Sequence, residues 1–228
     1  ADATLTHYAV HSGPEALRHE FNAVVSKKDL YETYLSAFRY CVKHAHPAAV
    51  MGAYNRVYGE ACCASPTLLG EILRGEFGFD GYVVSDCGAI CDINRSHHLT
   101  ENEAESAALA VKNGCDLNCG SAYQHLVSAA AAGLIDEAAI TSACERLFES
   151  RYRLGMFGES PYDSIAYDKV ECPAHIALNR RMAQESIVLL KNDGILPLSD
   201  QKTIAVIGPN ADDSEILLGN YNGTPSRY

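Results

Sequence analysis

Apolar positions along the chain follow two alternating rhythms. Short apolar or alternating runs, "LTHYAV" (5–10), "AAVMGAY" (48–54), "GYVVSD" (81–86) and "CDLNC" (115–119), predict strands. Between them lie longer stretches whose apolar positions recur every three or four residues, predicting helices over 26–45, 65–78, 100–114, 121–132 and 137–154. Several carry start and stop signals. Ser26 precedes the first helix with Asp29 three residues on, and Ser65 precedes the second with Pro66 at a first-turn position that needs no donor. Thr100 and Glu103 read as a capping box, and Asn113-Gly114 as the end of that helix.

Four strand-helix units in the first 155 or so residues imply an α/β fold, a parallel sheet covered by helices. Chemistry in such folds gathers at the carboxyl ends of the strands. His7, Tyr54, Asp86 and Asn118 all fall in or just past strand ends. After residue 155 the pattern changes to a Gly- and Pro-containing stretch without a clean period, which reads as a linker. A long helix over 174–194 and an apolar strand within 203–213, broken at Gly208-Pro209, then predict the opening of a second α/β domain.

Composition narrows the function classes. The chain has 228 residues, 47% hydrophobic and 21% charged, which suits a folded soluble protein and not a disordered or fibrous one. A formal net charge of −11, spread without blocks, repels phosphate backbones and anionic membrane surfaces, so neither nucleic acid nor a membrane is an expected partner. Nine cysteines cannot all pair. Cys87, Cys91, Cys115 and Cys119 form two C-x3-C pairs that invite a zinc reading, against which "CDLNC" reads as a strand and not a knuckle. No metal is therefore expected, and Cys41 and Cys144 are read as small core residues on helix faces.

Asp86 leads the candidate residues. An Asp after a strand commonly caps a turn, but this one follows a buried run and has no Lys or Arg within several residues. His7 and Tyr54 alone read as ordinary strand-end residues, His97-His98 as a solvated loop, and Glu15, Arg18 and His19 as a loop network.

Together, "AVMGAYNRVYGE", "GEFGFDGYVVSDCGAI", "VKNGCDLNCG" and "RMAQESIVLLKNDGILPL" resemble glycoside hydrolase family 3. "SDC", with "HSGPEALRHEFNAVVSKKDLYETYL", looks more like its β-xylosidase branch than its β-glucosidase branch. The resemblance implies the C-terminal half of a (β/α)8 TIM-type barrel followed by the start of an α/β sandwich domain: 1–157 a partial barrel, 158–173 a linker, 174–228 a linker helix and first strand. The missing strands would come from a longer protein or a complementing chain, and a homo-oligomer is a related expectation.

By the same resemblance Asp86 matches the nucleophile of a retaining exo-acting glycosidase, His7 the histidine of a Lys-His pair that holds sugar hydroxyls, and Tyr54 the tyrosine beside the nucleophile. Thr6 stands where the family has that lysine. The general acid/base lies on the family's second domain, and no residue here takes the role. No cofactor is implied. With Cys87 after the seventh strand and Cys119 after the eighth, one reading is a Cys87–Cys119 disulfide filling the room a glucose hydroxymethyl needs. The other is two reduced thiols packed at the rim. The expected activity is a β-1,4-xylosidase on xylo-oligosaccharides; β-glucosidase (on gluco-oligosaccharides), α-L-arabinofuranosidase, a catalytically impaired fragment acting as a sugar-binding or interaction protein, and a zinc module are the alternatives. The compartment stays open, with periplasmic or extracellular preferred over cytoplasmic.

Overall fold

In a computed structural model, which describes residues 2–199, 203–218 and 222–223, the chain forms two compact units, Ala1–Ser164 and Ile165–Tyr228. The division falls inside the stretch 158–173 expected as a linker. Each unit is described by itself.

The first unit is built on a parallel sheet in the order β1-β2-β3, with β1 Thr4–Tyr8, β2 Ala49–Gly52 and β3 Tyr82–Ser85. Register runs Thr4 to Ala49 and Ala49 to Tyr82, so Tyr8, Gly52 and Ser85 end on one rim. Gly52 leaves room there for Cys63, whose Sγ a Cβ would meet at 2.7 Å, so a larger residue would have to displace that thiol. A second, small sheet joins Asn22–Ala23, Arg56–Val57 and Glu60–Ala61, tying the loop after β1 to the loop after β2.

The expected fourth strand, 115–119, is reduced to a single parallel bridge between Val84 and Leu117. The reason is local. Asp116 accepts the Val83 N–H on its carboxylate at 2.8 Å, while the Asp116 and Leu117 N–H groups both go to Val83 O. A side chain thus replaces a ladder partner. That carboxylate is buried and is also held by Arg74 and Arg146, each at 2.8 Å. Beyond it the strand path resumes, with Ser85 N–H on Leu117 O and Gly88 N–H on Cys119 O.

Helices cover this sheet: α1 Ser36–Ala45, α2 Ala89–Arg95, α3 Glu103–Lys112, α4 Leu126–Ala131 and α5 Glu137–Arg153. The predicted helix 26–45 begins at Lys27 with Ser26 Oγ accepting the Asp29 N–H, then widens into a π-type turn over Leu30–Tyr34 before α1. The predicted helix 65–78 is π-type over Pro66–Glu76, with Ser65 capping Leu68 N–H. Its Leu68, Leu69, Ile72 and Leu73 join Tyr8, Val50 and Val83 in the main core.

The cap of α3 differs from the expected one. Asn102, not Thr100, accepts the Glu105 N–H, and Glu105 returns to the Glu101 and Asn102 side of the turn. Glu103 is taken instead by Arg95 and His125, and the Thr100 hydroxyl by Ser106.

In the second unit the expected helix 174–194 is α6 Pro173–Ser186, and Ile187 turns to extended backbone at φ −78°, ψ 124°. The β-branched pair Ile187-Val188 favours that exit. Residues 203–207, expected as a strand, form none among the described residues, because a strand needs a hydrogen-bonded neighbour. Ile204, Val206 and Ile207 are exposed. Positions 200–202, 219–221 and 224–228 of the expected second domain lie outside the described residues.

Candidate active site

The rim where the parallel strands end gathers most of the residues singled out from the sequence. Asp86 follows β3 directly and is 3% exposed. Its Oδ2 lies 3.1 Å from Nε2 of His7, near the end of β1, and its Oδ1 accepts the Cys87 N–H at 2.7 Å. Gly88, at φ 81°, takes a left-handed conformation that favours glycine and starts α2. The apolar run therefore ends in a carboxylate because the sharp turn to α2 leaves that side chain at the mouth of the sheet. Among the described residues neither a helix cap nor an Arg or Lys consumes it; its side chain is held by an imidazole and by its own turn.

Tyr54, in the loop after β2, donates its hydroxyl to Cys87 O at 3.0 Å. His11 and His19 pack against its ring at 6.1 and 4.6 Å between centroids, and the Arg18 guanidinium lies 5.2 Å from its centroid. His7 and His11 rings are 5.1 Å apart. Cys87 and Cys119 form a disulfide with Cα atoms 4.5 Å apart. Beneath it, Ser85 Oγ accepts from Asn118 Nδ2 at 3.2 Å and Cys119 N–H at 3.0 Å, which locks the two strand ends together.

Thr6 does not join this cluster. It lines a shallow hollow of about 140 Å³ with Leu5, Ala37, Phe38 and Cys41. The four C-x3-C cysteines divide likewise: Cys87 and Cys119 are oxidised, whereas Cys91 and Cys115 are buried thiols. Cys144 is exposed, a correction to its reading as a core residue, because it lies on the outer face of α5.

His97 corrects the expectation of a solvated loop. It is 4% exposed, and neither ring nitrogen has a hydrogen-bond partner among the described residues. Burial, then the Arg56 charge, lowers its pKa to about 4, against weaker upward pulls from Asp92 and the backbone of His19 and Tyr54. His98 is exposed and contacts Asn94 O.

Two residues escaped the sequence reading. Asn55, fully buried, sends its amide to Ala9 O and Val10 O at 3.3 Å and to Arg56 O at 3.1 Å, holding the loops after β1 and β2 together. Asp92 in α2 binds His19 Nδ1 at 2.7 Å, 73 positions away in sequence. Nothing local marks either; an Asn in a polar loop and an Asp in a helix are ordinary. Arg18 does form the expected loop network, pairing with Glu15 at 3.0 Å and donating to His19 at 3.3 Å.

Comparison with known proteins assigns the chain to a family. Residues 2–149 match "Glycosyl hydrolase family 3 N terminal domain" and residues 187–228 match "Glycosyl hydrolase family 3 C-terminal domain". A "Probable exo-1,4-beta-xylosidase" of Aspergillus clavatus is 43% identical over 98% of this chain and 30% of its own length. A "Beta-xylosidase/alpha-L-arabinofuranosidase" of Medicago sativa is 40% identical over 98% of this chain and 30% of its own length. Among solved structures, a family 3 exo-β-xylosidase in complex with a xylobiose aziridine activity-based probe superposes with a TM-score of 0.77 at 34% identity, covering 98% of this chain and 30% of that one. The chain thus spans about 30% of the length of the curated relatives it matches.

Proposed function

The chain belongs to glycosyl hydrolase family 3, and from that premise we propose that it carries the nucleophile side of a retaining, exo-acting β-xylosidase that releases xylose from xylo-oligosaccharides. The observation that supports this most is the meeting of two strand ends: a nearly buried Asp86 oxygen 3.1 Å from an imidazole that is itself 38% exposed to the rim. In this reading the Asp86 carboxylate attacks the anomeric carbon from below the ring and forms a glycosyl ester, which water then opens. His7, with its ring reaching solvent, holds a sugar hydroxyl and orients the carboxylate. Tyr54 fixes the peptide that follows the nucleophile. The proton for the leaving oxygen comes from a carboxyl roughly 5 to 5.5 Å away in such enzymes, a role assigned to no residue of this chain.

The disulfide supports a pentose. Cys87 adjoins the nucleophile, so two sulfurs stand beside the sugar, where a hydroxymethyl on C5 would need room. A wall there admits xylose and resists glucose, and the double name of the Medicago relative keeps α-L-arabinofuranosidase as a second reading. The same disulfide favours an oxidising compartment, periplasmic or extracellular. Residues 1–157 carry the barrel portion, 158–173 the link, and 174–228 the opening of the second domain.

The test uses a substrate that needs no acid. With 2,4-dinitrophenyl 2-deoxy-2-fluoro-β-xyloside, the Asp86 carboxylate displaces dinitrophenolate and the fluorine slows hydrolysis of the ester. Peptide mass spectrometry should find the sugar on Asp86, and the gluco analogue should label more slowly. Absence of label, or label on another residue, would refute the reading.

A further inference from the structure

The residues behind Tyr54 form an ordered chain of contacts. Arg18 Nε donates to His19 Nε2 at 3.3 Å. A guanidinium can only donate, so Nε2 is the acceptor and the proton of the neutral ring sits on Nδ1. That Nδ1–H donates to Asp92 Oδ2 at 2.7 Å. Asp92 is fixed in turn: Ser96 Oγ donates to its Oδ1 at 3.1 Å, and it lies in α2, the helix that starts at the nucleophile turn. The clamped imidazole meets the Tyr54 ring at 4.6 Å and 62°, and Arg18, steadied by Glu15 at 3.0 Å, covers the ring at 5.2 Å. Tyr54 then holds Cys87 O, whose own N–H is on Asp86 Oδ1.

We propose that the Asp92–His19 pair is a positioning device for the nucleophile: it fixes the ring of Tyr54 so that the peptide of residue 87, and through it the Asp86 carboxylate, faces the anomeric carbon. Neither residue touches sugar. The proposal rests on the assignment of Asp86 as nucleophile. It gives a role to an acid six residues after Asp86 whose Oδ2 is taken by His19. The other groups around the pair are already engaged, Glu15 with Arg18 and Ser96 with Asp92, and buried His97 sits beside Asp92 and Arg56.

The experiment compares the full chain with Asp92→Ala, His19→Ala, the double variant and Asp92→Asn, whose amide oxygen still accepts the Nδ1–H. Two readouts are taken. Histidine-¹⁵N and tyrosine ring NMR should show a proton on His19 Nδ1. Both alanine variants should shift the Tyr54 ring signals and leave those of distant Tyr40 in place. Inactivation by the dinitrophenyl fluoroxyloside should slow by about tenfold at saturation in each alanine variant, with KI within about twofold, because orientation and not binding is lost. The double variant should be no slower than either single one, since the two residues act as one unit, and Asp92→Asn should recover most of the rate. An Asp92→Ala protein with unshifted Tyr54 signals, or one inactivated at the parent rate, would overturn the proposal, as would losses that multiply to about a hundredfold in the double variant. If the parent itself acquires no label on Asp86, the glycosidase reading fails, and the Tyr54 signals alone decide whether the pair positions that ring.

Discussion

His97 makes the stability of the first unit depend on pH in a defined window. In the unfolded chain its imidazole titrates at the ordinary 6.5; in the fold it titrates at about 4, since protonation would bury a cation next to Arg56. Between those values the unfolded state holds the extra proton, so this contribution to stability is complete above pH 6.5 and is lost as pH falls toward 4. The full difference of about 2.5 pKa units corresponds to about 3 kcal/mol at the acid limit. At pH 5 the loss already amounts to about 2 kcal/mol, from the ratio of the two binding polynomials. Other groups titrate in the same window, so the slope of the parent alone decides nothing.

The deciding comparison is with His97→Gln, which keeps a polar amide of similar reach and cannot titrate. Urea unfolding followed by circular dichroism at pH 7.5, 6 and 5 gives the stability of both proteins. The gap between them should shift in favour of the variant by about 2 kcal/mol from pH 7.5 to 5. Curves that stay parallel would refute the reasoning, because they would mean that His97 accepts its proton as easily folded as unfolded.

Three further outcomes are expected. Reducing the Cys87–Cys119 disulfide, or replacing Cys119 by Ala, should narrow the preference for the fluoroxyloside over its gluco analogue by about tenfold, the scale of one pocket contact; an unchanged ratio of inactivation rates would show that the sulfurs do not wall the sugar. Asp116→Ala strands Arg74 and Arg146 and frees Val83 N–H, so it should cost about 3 kcal/mol or more, read as a lower urea midpoint. With iodoacetamide at pH 8, exposed Cys144 should be modified first, while Cys62, pushed up to about 12 by burial, and Cys115, raised well above the usual range by its contact with Cys63 and by burial, should resist; early modification of Cys62 would contradict its placement.

The sheet was legible because buried parallel strands are written as continuous apolar runs, and "YVVS" can hardly be anything else. Caps were legible where one side chain competes for the turn, as at Ser65, and ambiguous where two do. In "TENEAE" both Thr100 and Asn102 have a Glu three residues on, and Arg95 and His125 decide between them by occupying Glu103. "CDLNC" kept its path and lost its ladder because Asp116 bonds Val83 through its side chain, a choice set by two arginines 42 and 30 positions away. The expected helix 174–194 ends early for a related reason: at Ile187 the backbone turns extended, and whether such a segment joins a strand depends on a neighbour that local sequence does not contain.

The same distinction separates what could be read of the site from what could not. Asp86, His7 and Tyr54 are each fixed by backbone, one strand end apiece, so knowing the strands amounts to knowing the rim. Asp92, His19 and Asn55 act across 73 and 46 positions through side-chain hydrogen bonds, and their residue types are unremarkable where they stand. A parallel sheet brings the carboxylate to the rim by topology alone. The remaining precision, on which a displacement at carbon depends, falls to contacts that exist only once the loops after β1 and β2 have docked on α2. Substitutions at the rim should therefore abolish chemistry outright, whereas substitutions in the side-chain network behind it should grade the rate while leaving sugar affinity in place.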